Sequence, residues 1–355
     1  MEEEIYRRLA EHLDRLPGGF PPSNTGADLH LLRRLFTPEQ AKLAVHLTVN
    51  REEAAIIAQR AGLPPVEAEQ RLKEMAGKGL IFSVHPKVGP TLYQAIPWVV
   101  GIYESQVNNL SEGLRRAMHA YWATAQERPL PSTTGQMRTI PIGKSITVHL
   151  EALPYEQAEV LVQAQDRFAV TACICRRHSK LAGKGCDAPE ESCLVFGDWA
   201  DHYVRNGWGR YIERSAVMEI LDRADAANLV LQPSNSKDIS FICCCCGCCC
   251  GVLRGYKRHA NLAGIISSPF IARLEPESCQ GCWVCLDRCQ MDALVADGDR
   301  VAHKADRCIG CGLCVSTCPS EALRLERRPA SEQMPIPDSL EDAWHMMTRT
   351  QAQPL

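Results

Sequence analysis

The sequence predicts a multidomain α+β chain with a helical front, a small α/β middle and a compact repeat at the back. Three observations predict it. Helical apolar spacing dominates the first third of the chain, and alternating strand and helix patterns follow from about residue 142. All nineteen cysteines lie between Cys173 and Cys318, eleven of them by Cys250 and eight from Cys279 onward. One cysteine spacing then recurs after about 29 residues. The boundaries read as 1–125 for the front, 126–141 for a linker, 142–271 for the middle, 272–326 for the repeat and 327–355 for a flexible or docking tail. A chain of 355 residues has room for these pieces. With 45% hydrophobic and 23% charged residues it is not a disordered chain, and a net charge of −3 offers no global attraction to nucleic acid.

The odd, clustered cysteine count argues against a secreted disulfide scaffold. The N-terminal segment MEEEIYRRLAEHLDRL is charged and lacks the apolar core of a signal peptide. The longest uncharged stretch around the cysteines, 239–253, owes its hydropathy to seven cysteines, whereas a span needs about 20 apolar residues. A soluble, cytoplasmic, metal-binding protein is the expectation.

In the front, Thr37-Pro38-Glu39-Gln40 combines a capping residue, an N1 proline and a glutamine three residues after the cap. Residues 51–60 carry Ala54, Ile57, Ala58 and, just beyond, Ala61 at helical spacing, and Gly62 closes them. Pro64-Pro65 opens a third helix with Val66, Ala68, Leu72, Met75 and Ala76 expected toward a core. Residues 80–84 and 91–95 then form a hairpin. Three helices and a two-stranded wing, carried by EAAIIAQRAGLPPVEAEQRLKEMAGKGLI, resemble a winged helix-turn-helix. In such motifs the second helix reads DNA, here 66–77. That helix sets Glu67, Glu69 and Glu74 against Arg71, Lys73 and, at its end, Lys78, and residues 1–100 hold twelve basic and twelve acidic side chains. DNA binding needs a basic stripe, so protein docking or dimerisation is the expected role.

Residues 98–122 are expected as one long amphipathic helix. Its stripe of Ile102, Leu110, Leu114, Met118 and Tyr121 is where a homodimer seam would form. Gly143-Lys144-Ser145 looks like the end of a phosphate loop, but Arg138 stands where that motif needs its first glycine.

The middle reads as a strand at 146–149, a helix at 155–165, a strand at 168–172, a helix at 215–227 and a strand at 229–231. Its candidate ligands are Cys173, Cys175, Cys186, Cys193, Cys243, Cys245, Cys246, Cys248 and Cys249. Cys173, Cys175, Cys186 and Cys193 could form a set on one long loop, and a set shared with the 243–250 run is equally open. Neighbouring side chains in extended backbone face opposite ways, so the run cannot converge as a whole on one metal. Arg176, Arg177, His178 and Lys180 add positive charge beside the first pair, and His178 and His202 are weaker candidates. A further iron–sulfur cluster is the leading reading, with structural zinc and unligated thiols as alternatives.

At the back, Cys279-x2-Cys282-x2-Cys285-x3-Cys289 and Cys308-x2-Cys311-x2-Cys314-x3-Cys318-Pro319 repeat one pattern. They resemble a bacterial-type ferredoxin with two [4Fe-4S] clusters, which gives the ferredoxin-like back domain. The resemblance implies that the fourth cysteine of each run serves the other cluster, because three thiolates on one tight loop cannot reach the far iron. Cluster I then takes Cys279, Cys282, Cys285 and Cys318, and cluster II takes Cys308, Cys311, Cys314 and Cys289. Gln290 departs from the pattern by replacing a proline. Paired zinc sites are the alternative, but they rarely place three cysteines at x2 spacing with a fourth at x3.

The whole arrangement also resembles uncharacterised ferredoxin-like proteins of anaerobes, in which a winged-helix front, a C-x-C-R segment and a cysteine run precede the two-cluster domain. An electron-transfer role in anaerobic metabolism follows as the expectation, with a redox partner protein drawn to the acidic back segment. Between Arg273 and Glu326 that segment holds six basic and nine acidic residues. A redox-sensing winged-helix regulator and a reductase with a catalytic middle cluster are the competing readings.

Overall fold

The computed structural model describes residues 2–125, 135–146, 150, 152–259 and 265–351. It divides into two compact units. The first comprises residues 1–130, 202–208 and 344–355, and the second comprises 131–201 and 209–343.

In the first unit, the helix Glu2–Arg15 buries Ile5, Leu9 and Leu13 on one face. The helix Pro38–Ala44 begins with the reciprocal cap its sequence spells out: Gln40 N–H donates to Thr37 Oγ1 and Thr37 N–H to Gln40 Oε1, both at 3.2 Å. The helix Ala54–Ala61 stops at Gly62, whose φ of 66° only a residue without Cβ adopts easily. The helix Pro65–Gly77 follows, and Phe82–Val84 pairs antiparallel with Leu92–Gln94. A short strand, Glu52–Glu53, adds to the other edge of Leu92–Gln94.

The long helix expected at 98–122 is broken. Val99 and Val100 are extended and Gly101 sits at φ 167°, ψ −103°, so the helical ladder fails there. A single turn at Tyr103–Ser105 follows, and the chain restarts as the helix Glu112–Ala125, with Ser111 Oγ accepting from Leu114 N–H. Its apolar stripe is covered within the unit. Met118 and Tyr121 are fully buried, and Tyr121 stacks on Phe20 with ring centroids 4.3 Å apart. The face proposed as a dimer seam is therefore core.

The second unit is built on a five-stranded sheet in the order Gly209–Tyr211, Phe168–Ala172, Glu191–Phe196, Phe241–Cys245, Val230–Pro233. Every pairing is antiparallel. The helix Arg214–Ala226 buries Val217, Ile220, Leu221 and Ala224 in the same core as Leu194, Leu231 and Ile242. The residues behind the cysteine repeat form a hairpin, Leu294–Asp297 with Arg300–His303, and a pair, Phe270–Leu274 with Leu323–Arg327.

Three boundaries change. The described part of the expected linker is sheet-like: Arg138 N–H donates to Pro233 O at 3.1 Å, Thr139 N–H to Ser267 O at 2.8 Å and Ile140 N–H to Leu231 O at 3.2 Å. The middle and the repeat share one unit and one core, into which Met291, Ile309 and Leu313 enter. The tail is packed rather than loose. Lys237 N–H donates to Pro337 O at 2.8 Å, and the helix Leu340–Gln351 buries Leu340, Ala343, Trp344 and Met347. Residues 147–149 of the strand expected at 146–149 lie outside the described residues. Among the described residues no helix is long and apolar enough to cross a membrane.

Candidate metal centres

The back loops turn tightly because their chemistry demands it. Gly310 sits at φ 67°, and a Cβ there would run into the carbonyl oxygen of Phe270. Cys289, Cys308, Cys311 and Cys314 line one cavity, together with Met291, Ile309 and Leu313. Backbone N–H groups point at two of these sulfurs, Ala293 at Cys289 Sγ (3.2 Å) and Ala272 at Cys308 Sγ (3.3 Å). Cys285 instead neighbours Cys282, Cys318 and Cys279. Cys289 of the first run thus lies with three cysteines of the second, and Cys318 of the second lies near Cys285 of the first. Burial pushes the Cys285 thiol up to about 11 and Cys311 up to about 12, so these sites favour neutral thiols until a cation holds the thiolates. Apolar walls, N–H donors and four converging thiols are the surroundings that an iron–sulfur cluster requires. Cys282 is exposed, while Cys308 and Cys314 are buried.

The middle cysteines separate into two sets. Cys186, Cys246, Cys248 and Cys249 form a quartet whose sulfurs all lie within 4.8 Å of one another. Burial opposes its charge, but the Ala188 N–H and the thiols of Cys248, Cys249 and Cys246 bring Cys186 down to about 7. The second set is a row of free thiols in hydrogen-bond contact: Cys193 with Cys243, Cys243 with Cys245, Cys245 with Cys250, Cys250 with Cys175 and Cys175 with Cys173. Cys193 and Cys243 are direct partners across the sheet. Cys244 points the other way and is core.

The loop set of Cys173, Cys175, Cys186 and Cys193 is not what the fold assembles. The helix Ile174–Leu181 carries the chain away after Cys173, so Cys186 joins the turn beyond Cys245 while the other three join the strand. Cys250, absent from the expected ligands, belongs to the row, and its position just before the helix Gly251–Tyr256 was the available signal. His202 belongs to the first unit, where its ring packs on Phe82 and Trp208 and accepts the Ser83 N–H at Nδ1.

Arg176 is fully buried beside both sets. It donates to Pro189 O at 2.9 Å, to Cys244 O at 2.7 Å and to Ser192 Oγ. Burial opposes its charge, yet Cys173, Cys246 and Cys245 hold its pKa above the usual value. No carboxylate pairs with it among the described residues.

The cysteine run also abuts the repeat. Gly247 N–H donates to Gln290 Oε1 at 2.7 Å, and a Cβ on Gly247 would collide with the Gln290 carbonyl oxygen. The glutamine that breaks the ferredoxin pattern thus receives a hydrogen bond from the run. Gly143-Lys144-Ser145 is structural: Lys144 pairs with Asp225 at 3.1 Å, and Ile142 N–H donates to Cys311 O at 3.1 Å.

A 4Fe-4S dicluster domain matches residues 272–325, the segment holding all eight repeat cysteines. No curated protein matches the chain. No solved structure matches it either.

Proposed function

We propose that this protein is an iron–sulfur electron-transfer protein that passes single electrons to or from a partner enzyme. The observation that carries the reading is that Cys289 lines the cavity of Cys308, Cys311 and Cys314 while Cys318 lies beside Cys285, which supports a crossed ligand pattern. In this reading cluster I is held by Cys279, Cys282, Cys285 and Cys318, and cluster II by Cys308, Cys311, Cys314 and Cys289. When bound, each cluster supplies a one-electron site whose potential follows from burial and N–H···S bonds. The chain's residues divide the work. Exposed Cys282 lies on the side of cluster I open to an external partner, and Cys289 and Cys311 of cluster II pack against the core that holds the cysteine-rich middle. The excess of acidic over basic residues in this segment favours a partner with a basic patch.

The thiol row from Cys193 to Cys173 is the best seat for a further iron–sulfur centre, because six linked sulfurs exceed what one ion can bind. The front unit fits docking better than DNA reading. Arg71, on the helix a winged motif would use, is paired with Glu67, whose carboxylate offsets its charge on that face.

The test is anaerobic purification with iron and sulfide counting, then EPR of the reduced protein. About eight irons and eight sulfides are expected from the two four-iron clusters, plus any in the row. Zinc without acid-labile sulfide would sink the proposal. Cys289→Ala should damage the cluster II signal and spare cluster I; loss of cluster I alone would show that the ligands do not cross.

A further inference from the structure

The quartet differs from the other thiol sets in its dimensions. Cys186 Sγ lies 3.8 Å from Cys246 Sγ and 3.7 Å from Cys249 Sγ, and Cys248 Sγ lies 3.7 Å from Cys249 Sγ. A tetrahedral ion bound at about 2.3 Å from each sulfur sets its four sulfurs about 3.8 Å apart. A four-iron cluster spreads its thiolates more widely, because each takes a different iron and points away from the centre. Among the described residues, no other group of cysteines gathers as closely as this one, the eight repeat cysteines included.

The position of the ligands fits the same chemistry. Three come from the turn that follows the strand Phe241–Cys245, where the backbone is no longer extended and adjacent Cys248 and Cys249 can face one point. The fourth, Cys186, comes from the loop after the helix Ile174–Leu181. Donors to sulfur are in place, the Ala188 N–H to Cys186 and Ser179 to Cys249. Four thiolates around a divalent ion leave two negative charges. The buried guanidinium of Arg176, which pairs with no carboxylate among the described residues, faces Cys246 and offsets part of that charge.

We infer that Cys186, Cys246, Cys248 and Cys249 form a closed, mononuclear zinc site that staples the 182–190 loop to the cysteine run, separate from the redox centres. Four protein sulfurs leave no open coordination position, which marks a structural site.

Metal analysis of the anaerobically purified full chain tests this. About one zinc per chain is expected beside the iron. Cys186→Ser and Cys248→Ser should each lose that zinc while iron, sulfide and the EPR of the reduced protein stay at wild-type levels. Loss of about four irons and four sulfides in either variant would overturn the assignment in favour of a cluster. If neither variant can be isolated, zinc-edge X-ray absorption on the wild-type protein decides. Four sulfurs at about 2.3 Å with no metal neighbour support the site; a nearby iron scatterer, or no zinc at all, overturns it.

Discussion

Arg288 offers a measurable perturbation of the contact between the cysteine repeat and the helix Arg214–Ala226 of the same unit. Its guanidinium is buried, donates to Leu313 O at 2.9 Å and Asp225 O at 2.7 Å, and pairs with the Asp225 carboxylate. Removing one partner of a buried pair costs about 3–5 kcal/mol, because the other charge is left without compensation. Lys144 still faces Asp225 at 3.1 Å, which places Arg288→Ala near the low end, about 3 kcal/mol, or roughly a hundredfold. If the contact opens before the unfolding transition state, nearly all of this appears in the unfolding rate. The assay is the rate at which visible iron–sulfur absorbance bleaches in fixed urea under anaerobic conditions. Arg288→Ala should bleach about a hundred times faster than wild type. Asp225→Ala should be accelerated comparably, although it lies on the helix Arg214–Ala226 and not beside a proposed ligand. The double variant should be little worse than either single one. Additive effects, or single variants within about threefold of wild type, would refute the coupling argued from this pair.

Two further outcomes follow from the same structure. Gln290→Pro restores the residue usual in two-cluster ferredoxins but removes the acceptor of the Gly247 N–H, so amide exchange at Gly247 should quicken at least about tenfold; unchanged protection in mass-spectrometric exchange would count against that contact. Burial lowers His202 from 6.5 to about 3, so as pH falls below about 6.5 the unfolded chain takes up a proton that the folded chain refuses. Stability should drop by up to about 1.4 kcal/mol per pH unit from this group over that window and be regained as pH rises. His202→Gln should flatten the slope of the denaturation midpoint between pH 6 and 4, and an unchanged slope would show that His202 is not the group responsible.

Local chemistry was the legible part of the fold. The cap at Thr37, the stop at Gly62 and the strand Phe168–Ala172 each depend on a few neighbouring residues, and the repeat spacing is dictated by the reach of thiolates on a tight loop. The break at Gly101 was hidden because the apolar residues on either side still match a helical period. The division of the middle cysteines was hidden for another reason. It turns on the strand ending at Cys245, where alternation gives way to a turn, and on Cys186 returning after an intervening helix. The domain boundary at 271 failed because Arg288 finds Asp225 and Gln290 finds Gly247 across long stretches of sequence, and no local pattern announces such pairs.

Glu156 carries a practical consequence. Its fully buried carboxylate accepts from Arg327, at the end of the strand Leu323–Arg327, and from the backbone N–H of Leu153. A fragment cut at 272–325 would lose this clamp along with the core that receives Leu313 and Ile309. Ferredoxin domains are commonly treated as portable cassettes, to be excised, fused or swapped between hosts. Here the cassette has been welded into its host, and an engineer wanting its clusters would have to take the sheet as well.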